Sequence, residues 1–96
     1  MKRETIYCLT DPQTFEVKYV GRTTKDPAVR LKQHLSANNK GNGGLQHWIN
    51  SLKKINKKPT INILEVVIPC HASQAEKKWL MYYDKKGIYL LNLIHF

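Results

Sequence analysis

The stretch Thr5-Ile6-Tyr7-Cys8-Leu9, then Thr10-Asp11-Pro12-Gln13-Thr14, then Phe15-Glu16-Val17-Lys18-Tyr19-Val20-Gly21 decides the fold. Two runs rich in β-branched and aromatic residues flank a cluster of turn formers, which is the pattern of an antiparallel hairpin. Pro12 presets φ and Asp11 hydrogen-bonds local backbone readily, so the five intervening residues read as the loop. Period-two alternation puts Phe15, Val17 and Tyr19 on one face, with Glu16, Lys18 and Val20 on the other. Tyr7 and Tyr19 then sit in the middle of paired strands, and a simple register brings their phenols close. Gly21, just beyond, allows a sharp turn or a close backbone approach.

Working outward, Asp26-Pro27 opens a helix, with Asp as N-cap and Pro at the first helical position. Ala28, Leu31 and Leu35 supply its buried stripe, and Asn38-Asn39 end it. Lys40-Gly41-Asn42-Gly43-Gly44 reads as a flexible connector. A second amphipathic helix carries Leu45, Trp48, Ile49, Leu52 and Ile55, and Pro59 bars its continuation. Thr60 to Ile68 is β-branched and reads as a third strand, buried on both faces at its apolar end. Ser73 begins a last helix running to about Lys86, with Gly87 as its stop. Tyr89 to Leu93 is a short extended tail. The expected fold is α/β, a three-stranded antiparallel sheet flanked by helices in the order β-β-α-α-β-α.

The 96 residues include 16 Lys+Arg against 7 Asp+Glu, a net charge of +9. This length predicts a single domain over residues 1–96, with no room for a second. An apolar content of 42% and a charged content of 24% exclude a disordered tail. No apolar run approaches the roughly 20 residues that span a bilayer, so neither a signal peptide nor a membrane anchor is expected. The two cysteines, Cys8 and Cys70, lack metal spacing and are too few for a disulfide scaffold, which suits a reducing, cytoplasmic setting. A small domain this basic is expected to meet a polyanion.

Three groups of residues carry candidate chemistry. Arg30 and His34 are four apart on the first helix and share a face. Arg presents a planar fork for phosphate oxygens, and His can move a proton near neutrality. Their bland alternative is a solvated basic helix face. Tyr7 and Tyr19 read as packed strand tyrosines when taken singly. Glu76 closes Ser73-Gln74-Ala75-Glu76, which fits a capping box. It also shares a helix face with Trp79 and Tyr83, where a carboxylate turned to the sheet could ligate a hard divalent cation. Both readings of Glu76 stay open.

These positions together resemble the GIY-YIG nuclease family. Thr5-Ile6-Tyr7, eleven residues, and Tyr19-Val20-Gly21 are similar to its paired motif, with Thr5 for the first Gly and Val20 for the Ile. The run from Tyr19 through Arg22-Thr23-Thr24 to Arg30 and His34 resembles its next motif. Glu76 and Asn92 complete the set. The literal Gly87-Ile88-Tyr89 lies at the wrong place to be the motif.

The resemblance implies a metal-dependent DNA endonuclease that hydrolyses phosphodiester bonds with one divalent cation, Mg²⁺ or Mn²⁺. Carried over by position, Tyr7 would be the general base or water-orienting group, and Tyr19 would position the nucleophile or the phosphate. Arg30 would bind the scissile phosphate, His34 would assist the proton relay, Glu76 would hold the metal and Asn92 would brace the site. Whether Tyr7 or His34 is the effective base stays open, since an unperturbed phenol has a pKa of about 10.

Arg22, Lys32, Lys53, Lys54, Lys57 and Lys58 are expected to contact DNA, with the lysines closing the second helix lining its path together with the Gly-rich connector. Specificity is expected from a partner or from a recognition domain outside this chain. The competing reading is a non-catalytic basic nucleic-acid-binding module of similar fold, whose strand aromatics stack bases. A purely structural interaction domain leaves the charge and the motif order unexplained.

Overall fold

A computed structural model describes residues 2–36, 39 and 41–92. The elements follow the expected order: β1 (Glu4–Thr10), β2 (Val17–Thr23), α1 (Pro27–Ser36), α2 (Gly43–Lys54), β3 (Thr60–Val67) and α3 (Pro69–Lys85). All strand pairs are antiparallel, and the sheet order is β2-β1-β3. β1 therefore lies in the middle, and both of its faces are covered. Ile6 and Cys8 pack with Val20 against Ala75 and Tyr83 of α3. Tyr7 and Leu9 pack against Leu45 and Ile49 of α2, with Leu31 and Leu35 of α1 alongside. Helices thus cover both sides of the sheet, and β1 reads as a buried run, Ile6 to Leu9.

The hairpin departs from simple alternation. Asp11 accepts from the backbone N–H groups of Gln13 and Thr14 at 2.7 and 3.3 Å. Phe15 N–H returns to the Asp11 carbonyl at 2.9 Å. This local winding leaves Phe15 at φ 61° and 81% exposed, outside the strand. The register shifts between Leu9, opposite Tyr19, and Thr10, opposite Val17, so one extra residue bulges from β2. Val17 and Tyr19 consequently pack into different clusters, where strict alternation had them together.

Helix starts follow local chemistry. The Asp26 carboxylate accepts from Ala28 N–H at 2.8 Å, which caps α1 as expected. Ala28 is exposed, however, and the buried position of α1 is His34. Asn42 caps α2 by accepting from Leu45 N–H at 3.0 Å, so Gly43 and Gly44 begin the helix and are no connector. The helix stops before Ile55, which is 48% exposed. α3 starts at Pro69, four residues ahead of Ser73, because extended Ile68 sets the N-cap and Pro suits the first turn. Its end is a Schellman arrangement: Gly87 lies at φ 76°, its N–H meets Asp84 O, and Ile88 N–H meets Tyr83 O.

β3 ends at Val67 and is an edge strand, so its expected burial on both faces fails: Ile63 is 58% and Val66 46% exposed. Glu65 fastens it to α3 by accepting from Lys78 Nζ at 2.6 Å and Trp79 Nε1 at 3.0 Å. The free edge of β2 is met by the C-terminal segment, where Leu91 N–H donates to Lys18 O at 2.6 Å. The expected helix stop at Asn38, the connector position Lys40 and the tail end at Leu93 lie outside the described residues. Among those described, no helix is long and apolar enough to cross a membrane.

Candidate active site

Tyr7 is fully buried at the centre of β1, and its hydroxyl lies 2.7 Å from Nε2 of His34. The strand delivers the phenol from below, and α1 lowers the imidazole onto it. His34 is itself 1% exposed, and its Nδ1 lies 2.9 Å from Asn39 Oδ1. An amide oxygen only accepts, so Nδ1 carries the proton and the bare Nε2 accepts from the Tyr7 hydroxyl. Burial pushes the His34 pKa below the ordinary imidazole range. The Asn39 bond works the other way, and the Arg30 charge reinforces the lowering. Burial and the neighbouring Tyr19 push the Tyr7 hydroxyl well above the usual phenol value, against the opposing pull of Arg30. The resting pair is a neutral phenol donating to a neutral imidazole.

Tyr19 stands beside them, its ring centroid 6.4 Å from that of Tyr7 and 5.5 Å from that of His34. The register explains this cluster. Tyr7 faces Gly21 across the ladder, and Leu9 faces Tyr19, so the two phenols are diagonal neighbours on one sheet face. Tyr19 is half-buried, and burial raises its pKa as well.

Arg30 lies one turn before His34 on α1, half-buried, with Nη1 3.2 Å from Gln33 Oε1. It borders an open cleft of about 400 Å³ together with Arg22, Lys25, Gln33 and Glu4. Three cations against one carboxylate make this cleft suited to a phosphate group.

Glu76 reaches the site from the opposite side of the sheet. It sits in the second turn of α3, so the capping-box explanation lapses once the helix begins at Pro69. Burial raises its pKa, partly offset by Arg22 and supported by Glu4. Arg22 Nε stands 4.0 Å from Glu76 Oε1 and 3.6 Å from Glu4 Oε2. The Arg22 side chain therefore lies between two carboxylates instead of projecting freely. Glu76 touches neither phenol, but its negative charge acts on both.

Glu76 could supply one carboxylate to a divalent cation of the magnesium kind. It offers a partly desolvated carboxylate whose cationic neighbour is Arg22, and no group of three His, Cys, Asp or Glu occurs among the described residues. Mg²⁺ is commonly held by one or two carboxylates, with water and substrate phosphate filling the other positions.

Asn92 braces β2. Its Oδ1 accepts from Val20 N–H at 2.9 Å, and its Nδ2 donates to Val20 O at 2.6 Å. This pair closes the exposed ladder edge between Tyr19 and Gly21. The basic residues divide. Lys32, Lys54, Lys57 and Lys58 are exposed, whereas the Lys53 ammonium is tied to the carbonyl of Leu35 at the end of α1.

Three residues of the site escaped the sequence reading. Gln33 had a signal, since it is three residues from Arg30 on a helix. Glu4 also had one, because alternation from Ile6 puts it on the α3 face. Asn39 had none, because an Asn after a helix reads as a stop.

The site thus joins a hydrogen-bonded phenol–imidazole pair to a basic cleft on a small antiparallel sheet. The family model described as the GIY-YIG catalytic domain matches residues 4–89, so the chain belongs to the GIY-YIG family of nuclease domains. Neither the curated proteins nor the solved structures yielded a match.

Proposed function

We propose that this protein is a metal-dependent DNA endonuclease whose proton relay is Tyr7–His34. The observation that carries this reading is the 2.7 Å bond from the Tyr7 hydroxyl to Nε2 of buried His34. A phenol this far above its ordinary pKa does not ionise at rest, so its proton must leave as another arrives. Water attacks phosphorus and passes a proton to Tyr7 Oη, while the phenolic proton moves to His34 Nε2. The bond from phosphorus to the leaving oxygen breaks, and solvent protonates that oxygen. Tyr7 is sealed in the DNA-free protein, so the reading requires DNA binding to uncover its oxygen.

Arg30 binds the scissile phosphate, Tyr19 positions the phosphate or the water, and Asn92 keeps β2 in place beneath them. Glu76 holds the divalent cation, Mg²⁺ or Mn²⁺, with Arg22 and Glu4 as its neighbours. When bound, such an ion neutralises charge developing on the phosphate and the leaving oxygen. The exposed lysines Lys32, Lys54, Lys57 and Lys58 supply a grip on DNA that is independent of sequence. Base stacking by the strand aromatics would need the whole buried ring face of Tyr7, whereas the relay needs only its oxygen.

Supercoiled plasmid incubated with the protein in Mg²⁺ and in EDTA tests the proposal. Nicking is expected only with metal, and Tyr7→Phe should reduce it by about 10²- to 10⁴-fold while DNA binding persists. Arg30→Ala should lose both nicking and part of the affinity. A folded wild-type protein that binds but cuts none of several DNA forms would instead be a binding module.

A further inference from the structure

We infer that Asn39 and Gln46 are positioning residues that select the tautomer of His34, and that the backbone N–H of Asn39 is the origin of that choice. The inference rests on the proposed relay, because it concerns which ring nitrogen faces Tyr7.

Four hydrogen bonds in sequence link Asn39 and Gln46 to the His34 ring. Asn39 N–H donates to Gln46 Oε1 at 2.9 Å. A backbone N–H can only donate, so the Gln46 amide is oriented with its oxygen toward Asn39. The same oxygen accepts from Asn39 Nδ2 at 2.8 Å, which fixes the Asn39 amide in turn. Asn39 Nδ2 also donates to the carbonyl of His34 at 3.2 Å, a group that can only accept. Asn39 Oδ1 is thereby turned to His34 Nδ1 at 2.9 Å. Rotating the Gln46 amide by 180° would set donor against donor, and rotating the Asn39 amide would set its oxygen against two other acceptors. The far end is held as well, since Gln46 Nε2 donates to Asn50 Oδ1 at 3.0 Å.

The consequence falls on Tyr7. With the proton held at Nδ1, Nε2 offers its lone pair to the phenol. With the proton at Nε2, the ring would be a donor there, and the phenol could not pass its proton on. Neutral imidazole in water favours the Nε2–H form, so the protein has to override the solution preference, and this network does so. It also joins the end of α1 to the first turn of α2, so the tautomer depends on how the two helices meet.

The test is the ¹⁵N spectrum of the His34 ring, read from long-range proton–nitrogen correlations at pH 8 without DNA. The wild-type protein should give a protonated Nδ1 and a bare Nε2. Gln46→Leu leaves the Asn39 amide held only by its 3.2 Å bond to the His34 carbonyl, so the spectrum should move toward the Nε2–H form and nicking should fall about 100-fold. Asn39→Asp in that Gln46→Leu background presents an acceptor in either orientation. It should restore the Nδ1–H form, with the acid limb of the nicking profile moved to higher pH. Loss of packing alone would not be repaired by a carboxylate. A wild-type ring protonated at Nε2 overturns the inference, and so does a Gln46→Leu protein that keeps the Nδ1–H form with full activity. The wild-type spectrum decides even if the variants fold poorly. A protein with Nδ1–H at His34 that nicks no DNA overturns the endonuclease reading and leaves the tautomer selection standing.

Discussion

Gly21 faces Tyr7 across the β1–β2 ladder, and the phenol lies where a side chain at Gly21 would begin. A Cβ built there would stand 2.6 Å from Tyr7 Cζ and 2.9 Å from Tyr19 Cε1. Neither tyrosine has room to retreat, since one is locked to His34 and the other packs against both rings. The strand glycine is thus a requirement of the two phenols, and its φ needs no special region.

Gly21→Ala should therefore injure the site more than the fold. We expect a loss of about 1–3 kcal/mol from overpacking, visible in a urea melt. Nicking should fall about 100-fold, because a displacement of roughly 1 Å is enough to cost that much. Full activity in a correctly folded variant would show that Tyr7 tolerates displacement from His34.

Glu76→Gln should separate stability from function. Burial raises the folded pKa of Glu76, so its charge opposes folding above that pKa. The amide removes the penalty, and the variant should melt higher than wild type at pH 7. This advantage should fade as pH falls through the raised folded pKa, where wild-type Glu76 takes up its proton. Metal-dependent nicking should disappear while DNA binding remains. A variant less stable than wild type at pH 7 would mean that the ion pair with Arg22 outweighs desolvation.

The pH dependence of activity should reflect His34. Its folded pKa is lowered, so the imidazole is neutral and able to accept a proton throughout the neutral range. Nicking should be flat there and decline only below the ordinary imidazole region. Stability has the same sign: below about pH 6.5 the unfolded chain binds a proton that the folded protein refuses. Urea titrations should therefore show stability dropping as pH falls from about 6.5 toward the folded pKa. His34→Asn should remove that part of the drop, and an unchanged pH slope in this variant would contradict the assignment.

Asn92→Ala should act through β2. It removes both bonds to Val20 and leaves that N–H and carbonyl unmet at a partly buried edge. A cost of about 1–3 kcal/mol is expected, together with reduced nicking as Tyr19 and Gly21 lose their support. Asn92→Asp should retain the acceptor for Val20 N–H and recover part of the stability in the same melt. Equal melts for Asn92→Ala and wild type would remove Asn92 from the brace.

Much of the architecture was legible because local chemistry and tertiary demand agreed. Asp26-Pro27 starts a helix in any context, and Gly87 ends one because the left-handed conformation suits it. The candidate site residues came from the order of the motif, from Tyr7 to Asn92, and the structure brings Tyr7, Tyr19 and His34 together. What escaped depended on neighbours distant in sequence. Ile63 and Val66 are as apolar as core residues, and only their place on an edge strand leaves them exposed. Ser73-Gln74-Ala75-Glu76 has every feature of a capping box, yet Pro69 had already begun the helix. Val17 and Tyr19 separated because one bulged residue reverses the alternation. That two carboxylates from different elements flank Arg22, expected as a DNA contact, was likewise invisible without the fold.

The central position of β1 also orders the way the protein can move. A strand bonded on both sides and covered on both faces exchanges its amide hydrogens only when the whole molecule opens. Tyr7 is thus anchored in the central strand, whereas His34 and Arg30 belong to a single ten-residue helix packed over it. Arg30 and His34 share one helix, so any local opening of α1 would shift them together relative to Tyr7.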